Sequence, residues 1–151
     1  MSVLARLQEL LGGESVEETV EEVSQADLNL ACAALLVEVA RADQEVDPRE
    51  TEATLAAIRE VLGVEEAAIT ELMNAAEAEV TEGTSMFPHT RLINDRCTRK
   101  QKCDILKAMW RVAFADGNID RYEEHLIRRV AGLIHVDHSE FIHAKIEARD
   151  G

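Results

Sequence analysis

The chain has 151 residues, of which 46% are hydrophobic and 30% are charged, and its formal net charge at neutral pH is −14. This length and balance are typical of one soluble globular domain, and no apolar run approaches the ~20 residues of a membrane-spanning helix. Phosphate binding needs clustered Lys and Arg, so the negative charge argues against nucleic acid as a primary partner.

The N-terminal stretch MSVLARLQELLGG lacks the longer apolar region and small-residue cleavage site of a secretory signal. Three cysteines, Cys32, Cys97 and Cys103, form no CxxC pair and leave one thiol over in any disulfide scheme. This cysteine usage favours reduced thiols. We therefore expect a cytoplasmic protein with no direct membrane insertion.

Charge is distributed unevenly along the chain. Residues 1–82 carry 20 acidic and 4 basic residues, whereas residues 83–151 carry 10 acidic and 12 basic residues. The basic residues include a cluster in RLINDRCTRKQK, residues 91–102. Two interpretations remain open for this cluster: a solvated helix face that offsets the acidic half, or a surface that docks an acidic partner.

Apolar residues recur at helical spacing through nearly the whole chain after residue 24. No segment alternates with period two for long enough to be a strand, which predicts an all-α fold. Gly63 is predicted to end the helix of residues 49–63. Residues 1–24 are predicted to form an N-terminal helical segment, loosely attached to a domain of residues 25–151. In chain order the predicted helices cover residues 27–43, 49–63, 65–80, 91–96, 99–116, 121–135 and 138–148.

The two halves of the chain are related in sequence. Aligning residues 39–50 with residues 112–123 gives identity at six of twelve positions, and the similarity continues into the following helices with a one-residue gap. The pattern indicates an internal duplication of a three-helix unit, with repeat halves at about 28–80 and 101–148. Because two copies are too few for a solenoid, we expect both to pack into a single compact domain.

The most specific part of the repeat is an acidic turn, ADQEVD at residues 42–47 and ADGNID at residues 115–120. An EF-hand loop is one interpretation of the second copy, with Gly117 at the invariant glycine position. Its first and third positions would then be Val112 and Phe114, which have no carboxylate, and the first copy has Gln44 in place of the glycine. The sequence therefore argues against an EF-hand.

Helix capping explains part of the acidic turns. Asp47 followed by Pro48 and Glu50 has the spacing of a capping box, in which the two acids satisfy free N–H groups at a helix start. Asp120 and Glu123 have the same spacing in the second copy. A cap of this kind stabilises by ~1 kcal/mol, so these four acids need no further role.

Asp43 and Asp116 are not explained by capping. Each falls at the predicted C-terminal end of a helix, where an acid is unfavourable by ~0.3–1 kcal/mol. Either they accept hydrogen bonds from loop N–H groups or pair with nearby arginines, or they contribute to a site for a divalent cation such as Ca²⁺, Mg²⁺ or Zn²⁺. If a pseudo-twofold axis brings the turns together, six acids converge. The predicted metal ligands are Asp43, Asp47, Glu50, Asp116, Asp120 and Glu123.

Catalytic motifs are scarce. There is no GxSxG and no glycine-rich phosphate loop, and we predict no catalytic residues. All five histidines lie in the second half, and Glu140 with His143 forms a Glu-x-x-His, the element that di-iron carboxylate bundles use twice. A metal-dependent enzyme that combines Glu140, His143 and the acids of the turns is therefore the alternative to a non-enzymatic protein.

Four segments together resemble one known family: ALLVEVARADQEVDPRE, HTRLIND, WRVAFADGNIDRYEEHLIRRVAGLIHV and EFIHAKIEARD. From about residue 25 onward, the chain is similar to the short stand-alone bacterial members of the TerB-like tellurite-resistance protein family. The resemblance implies a compact domain of about seven or eight helices with a duplicated core. It also implies metal binding at the acidic positions named above, and a link to tellurite and other chemical stress, often through membrane-associated complexes. The chain departs from a symmetric pattern at Gln44 and Glu45, where the second copy has Gly117 and Asn118.

Taken together, the residues and the resemblance predict a non-enzymatic, stress-related binding or adaptor module. Its duplicated turns are predicted to hold a divalent cation that organises a docking surface for a protein partner. A purely structural interaction domain without a ligand is the second alternative.

Overall fold

The structure of the protein, a computed structural model, describes residues 16–42, 48–82, 85–115, 117 and 119–150, with side chains in the first helix from residue 25 onward. Within these residues the chain forms helices and no strands, so the all-α prediction is confirmed. The helices are α1 Val16–Ala40, α2 Pro48–Leu62, α3 Glu66–Thr81, α4 Phe87–Arg96, α5 Arg99–Phe114, α6 Arg121–Leu133 and α7 His138–Asp150.

The duplication is visible in how the helices pack. In the described part of the chain, each half contains three helices, α1 to α3 and α5 to α7, with α4 between the halves. In both halves the first helix packs against the third, α1 on α3 and α5 on α7. Across the halves, α1 contacts α5, α2 packs on α5, and α6 packs on α1. The predicted three-helix repeat is therefore confirmed. The two related units contact each other through α1 of the first and α5 of the second.

Local sequence explains where these helices begin and end. Pro48 starts α2, because its fixed φ and missing N–H suit the first helical position. The same helix ends before Gly63, which has φ +61° and donates its N–H to the Arg59 carbonyl at 3.1 Å. Glycine adopts this left-handed conformation without steric penalty, so the predicted C-cap is confirmed. Thr98 starts α5 with a capping box to Gln101.

The core lies along α1 and α5. The segment 31–37 of α1 is buried throughout, and its four small residues allow neighbouring helices to approach closely. Val39 and Val112, which are equivalent in the repeat, are both fully buried. Trp110 fills the interior of the second half, with its ring centroid 5.3 Å from that of Phe141 on α7. The equivalent valines of the two copies thus lie in one shared core.

The predicted boundary at residue 24 lies inside α1, which runs without a break from Val16 to Ala40. Residues 1–15 are outside the described part of the chain, so the loose attachment of residues 1–24 stays a prediction. Among the described helices, none combines the length and apolar character required to cross a membrane.

Candidate cation site in the acidic turns

Of the six predicted metal ligands, the structure describes Glu50, Asp120 and Glu123, and the other three lie outside the described residues: Asp43, Asp47 and Asp116. Glu50 is the third residue of α2, and Glu123 is the third residue of α6. Their exposed fractions are 1% and 0%. The repeat therefore buries an acidic side chain at the same position in both halves.

The second turn has the predicted capping box. Asp120 is the N-cap of α6, and its carboxylate oxygen Oδ1 accepts the Tyr122 N–H at 2.7 Å. In return, Glu123 accepts the Asp120 N–H through Oε1 at 3.2 Å. Gly117, at φ +88°, donates its N–H to the Phe114 carbonyl at 2.9 Å as the chain leaves α5. The cap thus fixes the orientation of two carboxylates within the turn.

Complete burial is more than a cap requires. A capping glutamate has to place one oxygen near a backbone N–H, which it can do at the protein surface. Removing a carboxylate from water costs several kcal/mol unless hydrogen bonds or positive charge compensate. The positive end of the helix dipole supplies part of that compensation at the start of α2 and α6. The burial of both Glu50 and Glu123 is thus the unusual feature of the turns.

The start of α2 and the end of α5 border one depression. Arg49, one residue before Glu50, and Ala115, the C-cap of α5, border the same shallow depression. The start of α2 therefore lies on the same face as the end of the helix that leads into the second turn. Within the described residues, no group of three or more His, Cys, Asp or Glu side chains is arranged to hold a metal ion. With three of the six acids outside those residues, the cation site stays a prediction.

Glu140 and His143 line a different site, a groove of about 550 Å³ between α5 and α7. Glu140 accepts hydrogen bonds from the Arg99 guanidinium and, at 3.1 Å, from the Cys103 thiol. His143 Nε2 lies 2.5 Å from Oε1 of Glu147, which is on the same helix. The metal-dependent enzyme alternative requires the acids of the turns to lie beside Glu140 and His143, and the described acids do not line that groove.

Arg99 sets the electrostatics of that groove. The pKa of Glu140 is lowered from its ordinary value, mainly by the hydrogen bond from the Arg99 guanidinium and next by the hydrogen bond from the Cys103 thiol. The pKa of Asp137 is also lowered, first by the backbone N–H of Glu140 and then by the Ser139 hydroxyl. The sequence pattern indicates Glu140 but not its partner Arg99, because the two are 41 residues apart and no local pattern links them.

The variant Arg99→Gln is expected to raise the pKa of Glu140. The free energy of unfolding should then decrease less as the pH falls than it does in wild type. A carboxylate whose folded pKa is depressed contributes stability above its unfolded pKa, and that contribution is lost as the pH falls through the folded pKa. The variant should therefore be less stable than wild type at pH 7, with the difference shrinking below the ordinary pKa of 4.5. Urea unfolding at pH 7 and pH 3 measures this, with the exposed Lys100→Gln as control. A difference of equal size at both pH values would contradict the expectation.

The fold and the turns define a class of protein: an all-α domain made of two three-helix units, each with a buried acid in the first turn of its second helix. The family model described as "Tellurite resistance protein TerB" matches residues 29–146. The chain therefore belongs to the TerB family, as its sequence motifs predicted.

A solved structure shows the same fold. The crystal structure of a protein of unknown function from Porphyromonas gingivalis W83 is similar with a TM-score of 0.62 and 16% sequence identity, covering 83% of this chain and 96% of that chain. At this identity the similarity concerns the fold alone. A comparison with curated proteins finds no match.

Proposed function

We propose that the chain is a non-enzymatic, stress-related binding module whose duplicated acidic turns hold a divalent cation and organise a docking surface for another protein. The observation that supports this most is the burial of Glu50 and Glu123 at equivalent positions of the repeat. Carboxylate oxygens are the preferred ligands of Ca²⁺ and Mg²⁺ and also bind Zn²⁺. Each buried acid is joined in sequence by two aspartates of its own turn.

Capping and cation binding are compatible in the second turn. An ionised carboxylate offers about four lone-pair positions, and the cap bonds of the second turn use Oδ1 of Asp120 and Oε1 of Glu123. The cap bonds hold both groups in fixed orientations before a cation arrives. Such preorganisation reduces the conformational entropy that binding would otherwise have to remove.

The surface next to the second turn supports a docking role. Tyr122 is 59% exposed although it lies one residue before a fully buried acid. Arg121 places its guanidinium carbon 5.6 Å from the centroid of the Tyr122 ring. Exposed tyrosine and arginine are enriched at protein interfaces. We propose that a cytoplasmic protein partner, within a membrane-associated complex, contacts this surface when the turn holds its cation.

Nuclear magnetic resonance of the full ¹⁵N-labelled chain tests the cation part directly. Adding Ca²⁺, Mg²⁺ or Zn²⁺ is expected to shift amide signals of residues 42–51 and 115–124 and few others. Glu50→Gln should remove the first set of shifts, and Glu123→Gln the second. Glu71→Gln, which changes an exposed acid of α3, should respond as wild type does.

If no cation shifts the signals of either turn, or if Glu50→Gln and Glu123→Gln respond as wild type does, the acids act as caps alone. In the first case the chain would be an interaction domain without a ligand; in the second, the cation would bind without the carboxylates of Glu50 and Glu123.

A further inference from the structure

A cavity of about 390 Å³ lies between α1, the end of α2 and the start of α5, away from the acidic turns. Two of the three thiols in the chain line it. Cys32 comes from the middle of α1 and is 3% exposed, whereas Cys97 is the C-cap of α4 and is partly buried. Far apart in sequence, the two cysteines are brought to the same partly open cavity by the packing of α1 against α4 and α5.

The chemistry of the walls restricts what this cavity can bind. Thiolate is a soft ligand and selects soft cations, above all Cu(I), which is satisfied by two sulfur ligands. A structural zinc site needs four ligands. In the described residues no group of three or more His, Cys, Asp or Glu is arranged to hold a metal. Two thiols in a cavity therefore match a two-coordinate soft ion better than a four-coordinate one.

We propose that Cys32 and Cys97 form a binding site for one soft monovalent metal ion of the Cu(I) class. On binding, each thiol releases its proton to solvent as its sulfur forms a bond to the metal, and no group changes its oxidation state. Asn29 and Gln101 line the same cavity. Their amide N–H groups are of the type that can donate hydrogen bonds to a bound thiolate and stabilise its charge.

Burial affects how this site would respond to pH. Burial first, and then the nearby Cys97, raise the pKa of the Cys32 thiol to about 12. Burial also raises the pKa of Cys97, against the lowering effect of Lys102 and Arg96. Protons thus compete strongly with the metal for both sulfurs, and affinity should rise with pH.

Cys103 provides a matched control inside the same chain. It lies on α5 but faces the groove between α5 and α7, where its thiol donates to Glu140 at 3.1 Å. It does not line the cavity of Cys32 and Cys97. A substitution at Cys103 removes one thiol from the protein without touching the proposed site.

The test is an anaerobic competition for Cu(I) between the reduced full-length chain and the chromophoric chelator bicinchoninate. Wild type and Cys103→Ser are expected to take up one Cu(I) per chain with equal affinity, higher at pH 8 than at pH 6. Cys97→Ser and Cys32→Ala should bind at least about 100-fold more weakly, because loss of a direct ligand exceeds the 10–100-fold effect of losing a supporting group.

Two results would overturn the proposal: a loss in Cys103→Ser as large as in the other variants, or no Cu(I) uptake by wild type beyond that of Cys97→Ser. Circular dichroism checks that Cys32→Ala is folded, and if it is not, Cys97→Ser at the partly exposed position decides alone. The site is independent of the carboxylates of the acidic turns, so either proposal can fail without the other.

Discussion

Replacing Trp110 by alanine is expected to lower the free energy of unfolding by about 3–5 kcal/mol. The side chain is fully buried on α5, and its ring contacts Phe114 and Phe141, with centroid distances of 6.0 and 5.3 Å. Lys145 Nζ lies 5.1 Å from the centroid of the same ring. The substitution would leave a large cavity between α5 and α7, which the surrounding helices can only partly fill.

Urea unfolding followed by far-UV circular dichroism measures this effect, since Trp110 is the single tryptophan and its removal eliminates the tryptophan fluorescence. Phe87→Ala is the control, because Phe87 is 59% exposed and surface substitutions usually change stability by less than about 0.5 kcal/mol. Equal losses in the two variants would contradict the view that α5 and α7 are held together around this ring.

A bound divalent cation is expected to stabilise the wild-type fold by about 2.7 kcal/mol when its free concentration is 100 times the dissociation constant. The reason is that a cation that binds only the folded turns shifts the equilibrium away from the unfolded chain. The double variant Glu50→Gln/Glu123→Gln should show no such gain, because the neutral amides keep the shape of the side chains but not their charge.

Thermal unfolding with and without the cation measures this gain. Sodium chloride at matched ionic strength is the control, because any salt screens the repulsion within a chain of net charge −14. Equal stabilisation of wild type and double variant by the cation would indicate general screening and not binding at the turns.

Sequence reasoning found the helices because their apolar spacing and end signals are local properties. α6 begins where Asp120 and Glu123 predict its cap, and α2 ends where Gly63 predicts. The sequence predicts a start of α1 at residue 27, because the apolar stripe becomes regular only from Leu28, whereas the helix begins at Val16. α4 also starts earlier than predicted, at Phe87. The sequence predicts a break between helices around Pro88, but proline fits the first turn of a helix.

The site was predicted less completely than the fold. The duplication identified which acids to consider, but the burial of Glu50 and Glu123 depends on how the two halves pack and leaves no mark in local sequence. The same is true of long-range pairs. Arg99 with Glu140, and the shared cavity of Cys32 and Cys97, join residues that only the tertiary fold brings together.

Isothermal titration calorimetry of Ca²⁺, Mg²⁺ and Zn²⁺ into wild type, Glu50→Gln/Glu123→Gln and Asp43→Asn/Asp116→Asn tests the central claim most directly. The account predicts saturable binding of at least one of these cations to wild type and to the Glu71→Gln control, and loss of that binding in both double variants. Negligible heats in wild type, or unchanged binding in the two double variants, would contradict it.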